Sequence, residues 1–357
     1  MFQEHYVLPI DKTGWQTADR RGEAVFNWDY DMHRERLLRL YSQGKRRQWD
    51  AQVRIDWSLP AYASSPEVDD AIGLAGSNLW TRLSESTREE VRLHLMAWQF
   101  SQFLHGEQGA LICASKIVQT VPQMDAKFYA ATQVMDEARH VEVYSTYLDT
   151  LKVAYPINQH LKSLLDDVLS DNRWDITFLG MQVLIEGLAL AAFGLVRNNT
   201  SIDLVRDLTA YVMADEARHV AFGRVALRDL YPQLSERERA EREEFCAEAC
   251  LVMRDRFLAQ EVWEHFGFDV QECNEHLNHS ESQKIFRSLL FHRIVPTIKD
   301  IGLWSPKMRD TFAKMGVLEF ADTDLGSIEA EDNAFADHID ELRRSQVAAT
   351  IALGDDS

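Results

Sequence analysis

The sequence predicts an all-α protein built around a four-helix bundle, with additional N- and C-terminal helices. Glycine and proline number only 16 and 8 in 357 residues, fewer than the ~12% that these residue types usually contribute together. This shortage disfavours sandwiches, barrels and many-stranded α/β folds. Hydrophobic residues make up 46% of the chain, enough for a sizeable core. The prolines fall between long segments of helical periodicity, where they separate the helices.

The N-terminal quarter is predicted to contain only short elements. Residues 1–28 are aromatic and irregular in pattern, and a helix rich in Arg and Leu is expected over about 31–48. Residues 49–86 should form short helices and loops.

Five long segments have helical periodicity, namely about 87–119, 124–153, 173–198, 202–230 and 235–265. Helix-start residues support them, since Ser86 and Thr87 precede Glu89, and Asp125 opens the second segment. Residues 157–170 should form a shorter crossover helix. Two or three modest helices follow Asp269, and an acidic, partly mobile tail is expected from about Phe320.

No Gly/Ser linker or change in composition divides the chain. We therefore expect an N-terminal extension over 1–86, a four-helix bundle over 87–230, and C-terminal helices with an acidic tail over 231–357 that pack on the same domain.

The formal charge of −19 disfavours functions that require coating nucleic acid or an anionic membrane. The four cysteines contain no Cys-x-x-Cys pair and are too few for a disulfide framework. The first residues lack the features of a secretory signal. These observations predict a soluble, cytoplasmic protein.

The apolar stretch 178–196 is long enough to span a bilayer. Glu186 lies near its centre, with Gln182 nearby, and a carboxylate there is costly in lipid. A helix buried on all sides in a bundle has the same pattern. We favour the buried helix, which makes the central carboxylate a candidate functional group.

A six-residue motif, Asp-Glu-Ala-Arg-His-Val, occurs twice, at 136–141 and at 215–220. Its copies are 79 positions apart. Of the 12 histidines, only His140 and His219 have a glutamate three positions before them. Two such Glu-x-x-His pairs within an identical hexapeptide indicate an internal repeat with a shared function.

Each copy also has an upstream glutamate at the same distance. Glu107 lies 30 positions before Glu137, and Glu186 lies 30 positions before Glu216. With a rise of ~1.5 Å per residue, a helical hairpin of this length returns the second glutamate to the height of the first. Two packed hairpins thus bring six side chains to one level of the bundle: Glu107, Glu137, His140, Glu186, Glu216 and His219. This is the ligand set of a dinuclear carboxylate metal site.

Four carboxylates and two imidazoles without thiolates suit iron or manganese better than a lone structural zinc. Without cations, four buried carboxylates would repel one another. We interpret Asp136 and Asp215 as acceptors that orient the imidazoles. Arg139 and Arg218 would pair with these aspartates, with a solvated ion pair as the alternative.

With these motifs, the chain resembles the ferritin-like diiron carboxylate superfamily over about residues 87–230. The doubled motif is most similar to the hydroxylase subunits of bacterial multicomponent monooxygenases. The length is closer to the small subunit of ribonucleotide reductase and related ligand-binding oxidases. The resemblance implies that the six residues bind two metal ions, usually two Fe ions with Mn/Fe as an alternative, and that the reduced centre activates O₂ as a co-substrate.

Three positions depart from or extend the family patterns. The monooxygenases have a threonine where this chain has Leu190, so their proton-delivery scheme does not transfer. Diiron N-oxygenases of aminoarenes add a third histidine where this chain has Val212, which weighs against that assignment. Tyr144 occupies the place of the radical tyrosine of ribonucleotide reductase. A redox role, a hydrogen bond to a ligand, and core packing remain three alternatives for it.

Helical phase predicts a mostly apolar pocket one turn from the ligands, with ordinary core packing as the alternative for each member. Its residues are Phe103, Leu111, Gln133, Val183, Leu190 and Val212.

These features predict an O₂-activating diiron or Mn/Fe oxygenase or oxidase that acts on a mostly apolar small molecule. The alternatives are a ferritin-like ferroxidase or iron-binding protein, and a radical generator that serves a separate large subunit. The acidic surface could bind a reductase or ferredoxin, and the sequence leaves open whether the chain forms a homodimer.

Overall fold

A computed structural model describes residues 5, 7–8, 24–25, 34–63, 73–74, 76–255 and 257–354. Most of the segment 1–28, predicted to be irregular, lies outside these residues. The described part of the chain is helical and contains no β-strand, so the predicted all-α class is confirmed.

In the described residues, three short helices precede the bundle: α1 (Glu35–Arg46), α2 (Ala51–Arg54) and α3 (Asn78–Arg82). α1 corresponds to the helix predicted over about 31–48. Asp50 is the N-cap of α2, and its carboxylate accepts hydrogen bonds from the backbone N–H groups of Gln52 and Val53.

The first hairpin consists of α4 (Glu85–Thr120) and α5 (Met124–Leu151), which pack along one another. The hydroxyl of Ser84 accepts the backbone N–H of Thr87, so α4 begins two residues before the predicted start. α5 ends where Lys152 adopts a left-handed conformation with φ 59°.

The second hairpin follows α6 (Gln159–Ser170), the crossover helix predicted over 157–170. It consists of α7 (Trp174–Asn199) and α8 (Asp203–Leu230). α7 is the one described helix that is long and apolar enough to cross a membrane, but 78% of its most apolar window is buried. It therefore has the burial of a core helix, as expected from its uniform apolarity.

α7 contains a π-helical turn over Leu179–Ile185, directly before Glu186. The sequence analysis did not predict this turn. π-Turns are rare and occur frequently at functional sites. α8 approaches the turn closely at Gly223, where a Cβ atom would lie 2.5 Å from Cβ of Gln182. The absence of a side chain at Gly223 permits this approach.

The C-terminal helices are α9 (Glu236–Asp255), α10 (Gln260–His265), α11 (Val270–His279), α12 (Glu281–Leu289), α13 (Ile294–Asp300), α14 (Pro306–Lys314) and α15 (Leu325–Gly354). The prediction of one helix over 235–265 is wrong, because the helix is interrupted between α9 and α10 and Ala259 has φ 49°. α15 forms within the region predicted to be an acidic tail.

The added helices cover the bundle. α1 packs against α5 and α8, α15 packs against α8, and α9 and α13 contact the π-turn of α7. These contacts bring helices from outside the bundle against both hairpins, and the aspartate, glutamate, arginine and histidine side chains of the repeated motifs are buried.

Candidate metal centre

The six residues of the repeat converge in the core of the bundle. Their ligand atoms form two groups, each with all atoms within 4.8 Å of one another: Glu107, Glu137, His140 and Glu216 in the first, and Glu137, Glu186 and His219 in the second. All six side chains are buried. Because Glu137 belongs to both groups, they are two halves of one cluster.

Both imidazoles direct Nδ1 towards the carboxylates. Nδ1 of His140 lies 3.2 Å from Oε2 of Glu107 and 3.0 Å from Oε1 of Glu216. Nδ1 of His219 lies 3.1 Å from Oε1 of Glu137 and 3.4 Å from Oε1 of Glu216. Each half of the cluster therefore contains one imidazole nitrogen among carboxylate oxygens.

The ionisation of these groups is strongly perturbed. Burial, followed by repulsion between carboxylates, raises the pKa of Glu107 and of Glu186 well above the ordinary value. Burial opposes ionisation of both imidazoles, yet neighbouring carboxylates raise the pKa of His140 and of His219. The cluster therefore concentrates buried negative charge, which favours the binding of protons or cations.

The donor set fits two metal cations. Several buried atoms have no hydrogen-bond partner among the described residues: Glu137 Oε2, Glu186 Oε2, both carboxylate oxygens of Glu216, and His219 Nδ1. Buried polar atoms normally have hydrogen-bond partners, so atoms that lie close together without aligned hydrogen bonds are placed to bind cations. Four carboxylates also match the charge of two divalent ions, and hard oxygen ligands with imidazole suit iron or manganese.

Behind each imidazole lies the aspartate of the other repeat. Nε2 of His140 is 3.2 Å from Oδ2 of Asp215, and Nε2 of His219 is 3.3 Å from Oδ2 of Asp136. The pairing crosses between the hairpins, so each aspartate can fix the orientation of the imidazole that the other motif supplies.

The two arginines of the repeat join the two aspartates. Arg139 donates to Oδ1 of Asp136 and, at 2.8 Å, to Oδ2 of Asp215. Arg218 donates to Oδ1 of Asp215 and lies 3.5 Å from Oδ2 of Asp136. The four charges form a closed ring of zero net charge. Both arginines are buried, so the alternative of a solvated ion pair does not apply.

Two residues of this network were missed by the sequence analysis. The indole Nε1 of Trp49 donates to Oδ2 of Asp215 at 2.8 Å, and the amide of Gln48 donates to Oδ1 of Asp136 at 2.7 Å. The guanidinium of Arg139 also lies 4.7 Å from the centre of the Trp49 ring. Both hydrogen bonds join residues that are distant in the sequence, and no spacing in the sequence indicates them.

Gln133, predicted as part of the pocket wall, forms hydrogen bonds to two of the proposed metal ligands. Its amide donates to Oε1 of Glu137 at 3.0 Å and to Oε1 of Glu186 at 2.8 Å. The amide of Gln182 lies 3.5 Å from Oε1 of Gln133. One end of the metal level is therefore closed by two buried amides, and one of them, Gln133, holds two ligand carboxylates.

The opposite end is aromatic. The Phe103 and Phe193 rings meet with centroids 4.6 Å apart, and the Tyr144 ring lies 5.9 Å from Phe193. The hydroxyl of Tyr144 has no hydrogen-bond partner in the described part of the chain. Burial and the charge of Glu107 raise its pKa. The structure therefore shows no hydrogen bond from Tyr144 to a ligand.

The remaining predicted pocket residues are Val183, Leu190 and Val212, which are buried, and Leu111, which is only half-buried. The amide end and the aromatic end of the metal level differ because equivalent positions of the two repeats, which are 79 residues apart, have different side chains. The pairs are Phe103 with Gln182, Tyr144 with Gly223, and Val212 with Gln133.

Comparison with known families decides the classification. The family model described as p-aminobenzoate N-oxygenase AurF matches residues 31–302, most of the chain. The chain belongs to the AurF family. The match brings the aminoarene N-oxygenases, against which the sequence analysis weighed Val212, back among the candidate functions.

Solved structures similar to this AurF-family chain include variants of an R2-like ligand-binding oxidase with an anaerobically reconstituted Mn/Fe cofactor. One is 18% identical, covers 78% of this chain and 96% of its own, and has a TM-score of 0.48. A second is also 18% identical, covers 75% and 94% of the two chains, and has a TM-score of 0.47. No curated protein matches the chain.

Membership of the AurF family confirms the ferritin-like diiron carboxylate superfamily predicted from the doubled motif. The protein is an oxidoreductase of this superfamily, and its buried carboxylate and histidine cluster is suited to binding two metal ions.

Proposed function

We propose that this AurF-family protein uses O₂ at a dinuclear iron centre to oxygenate a mostly apolar small molecule. The nitrogen of an aromatic amine is the first reaction site to test, given the family. The observation that carries the proposal is the aromatic end beside the six-residue cluster, formed by Phe103, Tyr144 and Phe193. An apolar wall beside a metal centre excludes water and favours an apolar substrate.

Some residues of the chain would bind the metal ions, and others would orient the ligands or shield the centre from water. Two iron ions, when bound by the six residues of the cluster, would supply the electrons and Lewis acidity needed to activate O₂. Asp136 and Asp215 would keep each imidazole in the tautomer with Nδ1 free to bind a cation. Gln133 would hold the carboxylates of Glu137 and Glu186 by its two hydrogen bonds.

Oxygenation of a substrate requires two electrons in addition to those of the substrate, so we infer a separate electron donor, such as a reductase or ferredoxin. The net charge of −19 would favour a donor with a basic docking face. The four buried cysteines are free thiols, which supports a reducing, cytoplasmic location. Whether the chain forms a homodimer stays a prediction to be measured.

A second candidate is one-electron oxidation of Tyr144, as in a radical generator. It rests on the buried hydroxyl without a hydrogen-bond partner in the described region, four positions after His140. Electron paramagnetic resonance of the oxidised protein would detect a tyrosyl radical that is absent from a Tyr144→Phe variant.

The proposed function is tested by isotope incorporation. Iron-loaded protein, reduced anaerobically, is mixed with ¹⁸O₂ and aromatic amines, and the products are measured by mass spectrometry. We expect ¹⁸O in the product with wild type and with Glu142→Ala, an exposed glutamate on the same helix. We expect none with Glu137→Ala. Oxygen consumption without ¹⁸O in any product would indicate an oxidase, and no oxygen consumption would overturn the proposal.

A further inference from the structure

A cavity of about 420 Å³ lies at the aromatic end of the bundle. Its walls come from α4, from the turn between α7 and α8, and from α12, with contributions from Phe257 and Trp263. We call it the outer pocket. Its volume lies within the range of pockets that bind small molecules, about 300–1,000 Å³.

The outer pocket is separated from the metal level by one layer of rings. Phe100 lines the pocket, and its ring centroid lies 5.4 Å from that of Phe103 and 5.7 Å from that of Tyr144. Phe103 is one helical turn from Glu107, so the layer connects the pocket with the carboxylates. A substrate in the outer pocket would reach the cluster by displacing these rings and no charged group.

The described residues that line the outer pocket carry almost no charge. Arg92 is the one charged residue among the described residues that line it. The guanidinium donates to Oε1 of Glu85 at 2.7 Å and lies over the ring of Trp80. The cation is therefore already paired, and the described lining offers no unpaired positive charge to a carboxylate.

The rim of the outer pocket is apolar and exposed. Ile285 of α12 is 59% exposed and Leu289 is 37% exposed, and both line the pocket. α12 has no fully buried residue. Exposed apolar side chains beside a cavity indicate a binding site for an apolar ligand.

We propose that the outer pocket binds an uncharged aromatic molecule and delivers it past Phe100 to the aromatic end of the metal centre. This inference rests on the proposed function and specifies its substrate class. The family's name refers to p-aminobenzoate, a carboxylate, whereas burying an unpaired carboxylate in a neutral apolar pocket carries a large desolvation cost. The preferred arene therefore carries no charge.

The test compares two ligands that differ only in the group opposite the amine. p-Toluidine carries a methyl group where p-aminobenzoate carries a carboxylate. Their dissociation constants are measured by calorimetry on the full-length, iron-loaded protein under anaerobic conditions. We expect p-toluidine to bind at least ten times more tightly. Equal affinity, or a preference for p-aminobenzoate, would overturn the inference.

Variants locate the binding site. Leu195 lines the outer pocket and is partly buried, so Leu195→Trp should fill the cavity and abolish p-toluidine binding. Leu251→Trp, at an exposed apolar residue on α9 that does not line the pocket, is the matched control and should bind normally. Leu195→Arg should shift the preference towards p-aminobenzoate, because it adds an unpaired cation. This variant keeps the test decisive if Leu195→Trp does not fold.

The two proposals fail in different ways. If ¹⁸O appears in a product but Leu195→Trp binds p-toluidine normally, the outer pocket is not the route and the oxygenase function stands. If p-toluidine binding depends on Leu195 but no product incorporates ¹⁸O, the pocket stands and the oxygenase function fails.

Discussion

The imidazole Nε2 of His140 lies 3.2 Å from the carboxylate Oδ2 of Asp215, although the two residues belong to different copies of the repeat. The reverse pair, His219 and Asp136, has nearly the same distance, 3.3 Å. The centre is therefore symmetric in its supporting contacts and asymmetric at its two ends.

The first prediction concerns metal content. We expect wild type to bind two iron or manganese ions per chain, and Glu137→Ala and His219→Ala to lose most of this metal, since each removes a proposed ligand. Elemental analysis measures it. Glu142→Ala and His279→Ala change exposed residues of the same types and should retain wild-type content. Undiminished metal in both ligand variants would contradict the assignment.

The second prediction concerns the aspartate–arginine ring. Asp215→Asn keeps the shape of the side chain but leaves buried Arg139 and Arg218 with one carboxylate between them. We expect a loss of about 3–5 kcal/mol in unfolding free energy and a 10–100-fold loss in metal affinity. Denaturant titration and metal titration measure these effects. We expect Asp136→Asn to cause the same two losses. Asp149→Asn, at an exposed position, should leave the unfolding free energy and the metal affinity nearly unchanged.

The third prediction concerns Tyr144. Since its hydroxyl has no hydrogen-bond partner in the described structure, Tyr144→Phe should change the unfolding free energy by less than about 1.5 kcal/mol and leave metal content intact. We expect it to alter the time course of the absorbance changes that follow mixing of the ferrous protein with O₂. Wild-type kinetics in stopped-flow measurements would assign Tyr144 to core packing.

The fourth prediction concerns pH. The pKa values of Glu107, Glu186, His140 and His219 are all raised, so these groups retain protons that a metal must displace. Metal affinity should therefore rise as the pH increases through and above about 6.5, the ordinary imidazole value. Calorimetry in buffers of different ionisation enthalpy measures the protons released. An affinity independent of pH would contradict it.

The fifth prediction compares two glycines within helices. At Gly223 an added Cβ would meet Gln182 at 2.5 Å, whereas at Gly106 it would meet nothing within 4 Å. We expect Gly223→Ala to lower the unfolding free energy by about 1–3 kcal/mol and Gly106→Ala to raise it by about 0.5–1 kcal/mol. Thermal unfolding of both variants shows whether each substitution lowers or raises the unfolding free energy. Equal effects would contradict close packing at the π-turn.

The bundle and the convergence of its polar residues could be predicted because both follow from periodicity and matched spacing. Helical rise and two equal offsets place Glu107 beside Glu137 without knowledge of any other contact. The positions of Gln48 and Trp49 could not be predicted, since their hydrogen bonds to Asp136 and Asp215 join segments with no common repeat.

The hydrogen bonds of Gln133 to the ligand carboxylates and the π-turn before Glu186 also could not be predicted from the sequence. Helical phase places Gln133 on the correct face, but whether its amide meets a carboxylate depends on the local register of the opposite helix. The π-turn shifts that register, and α8 packs closely against the turn at Gly223. The break between α9 and α10 likewise lacks a proline or glycine to mark it.

The crossed aspartate–histidine pairs have a consequence for how the protein is made. Their partners lie 75 and 83 positions apart, so the first hairpin leaves the ribosome before the residues that orient its imidazole exist. A nascent chain that stops before α8 lacks both Asp215 and His219. Stable metal capture should therefore begin only when synthesis has passed α8.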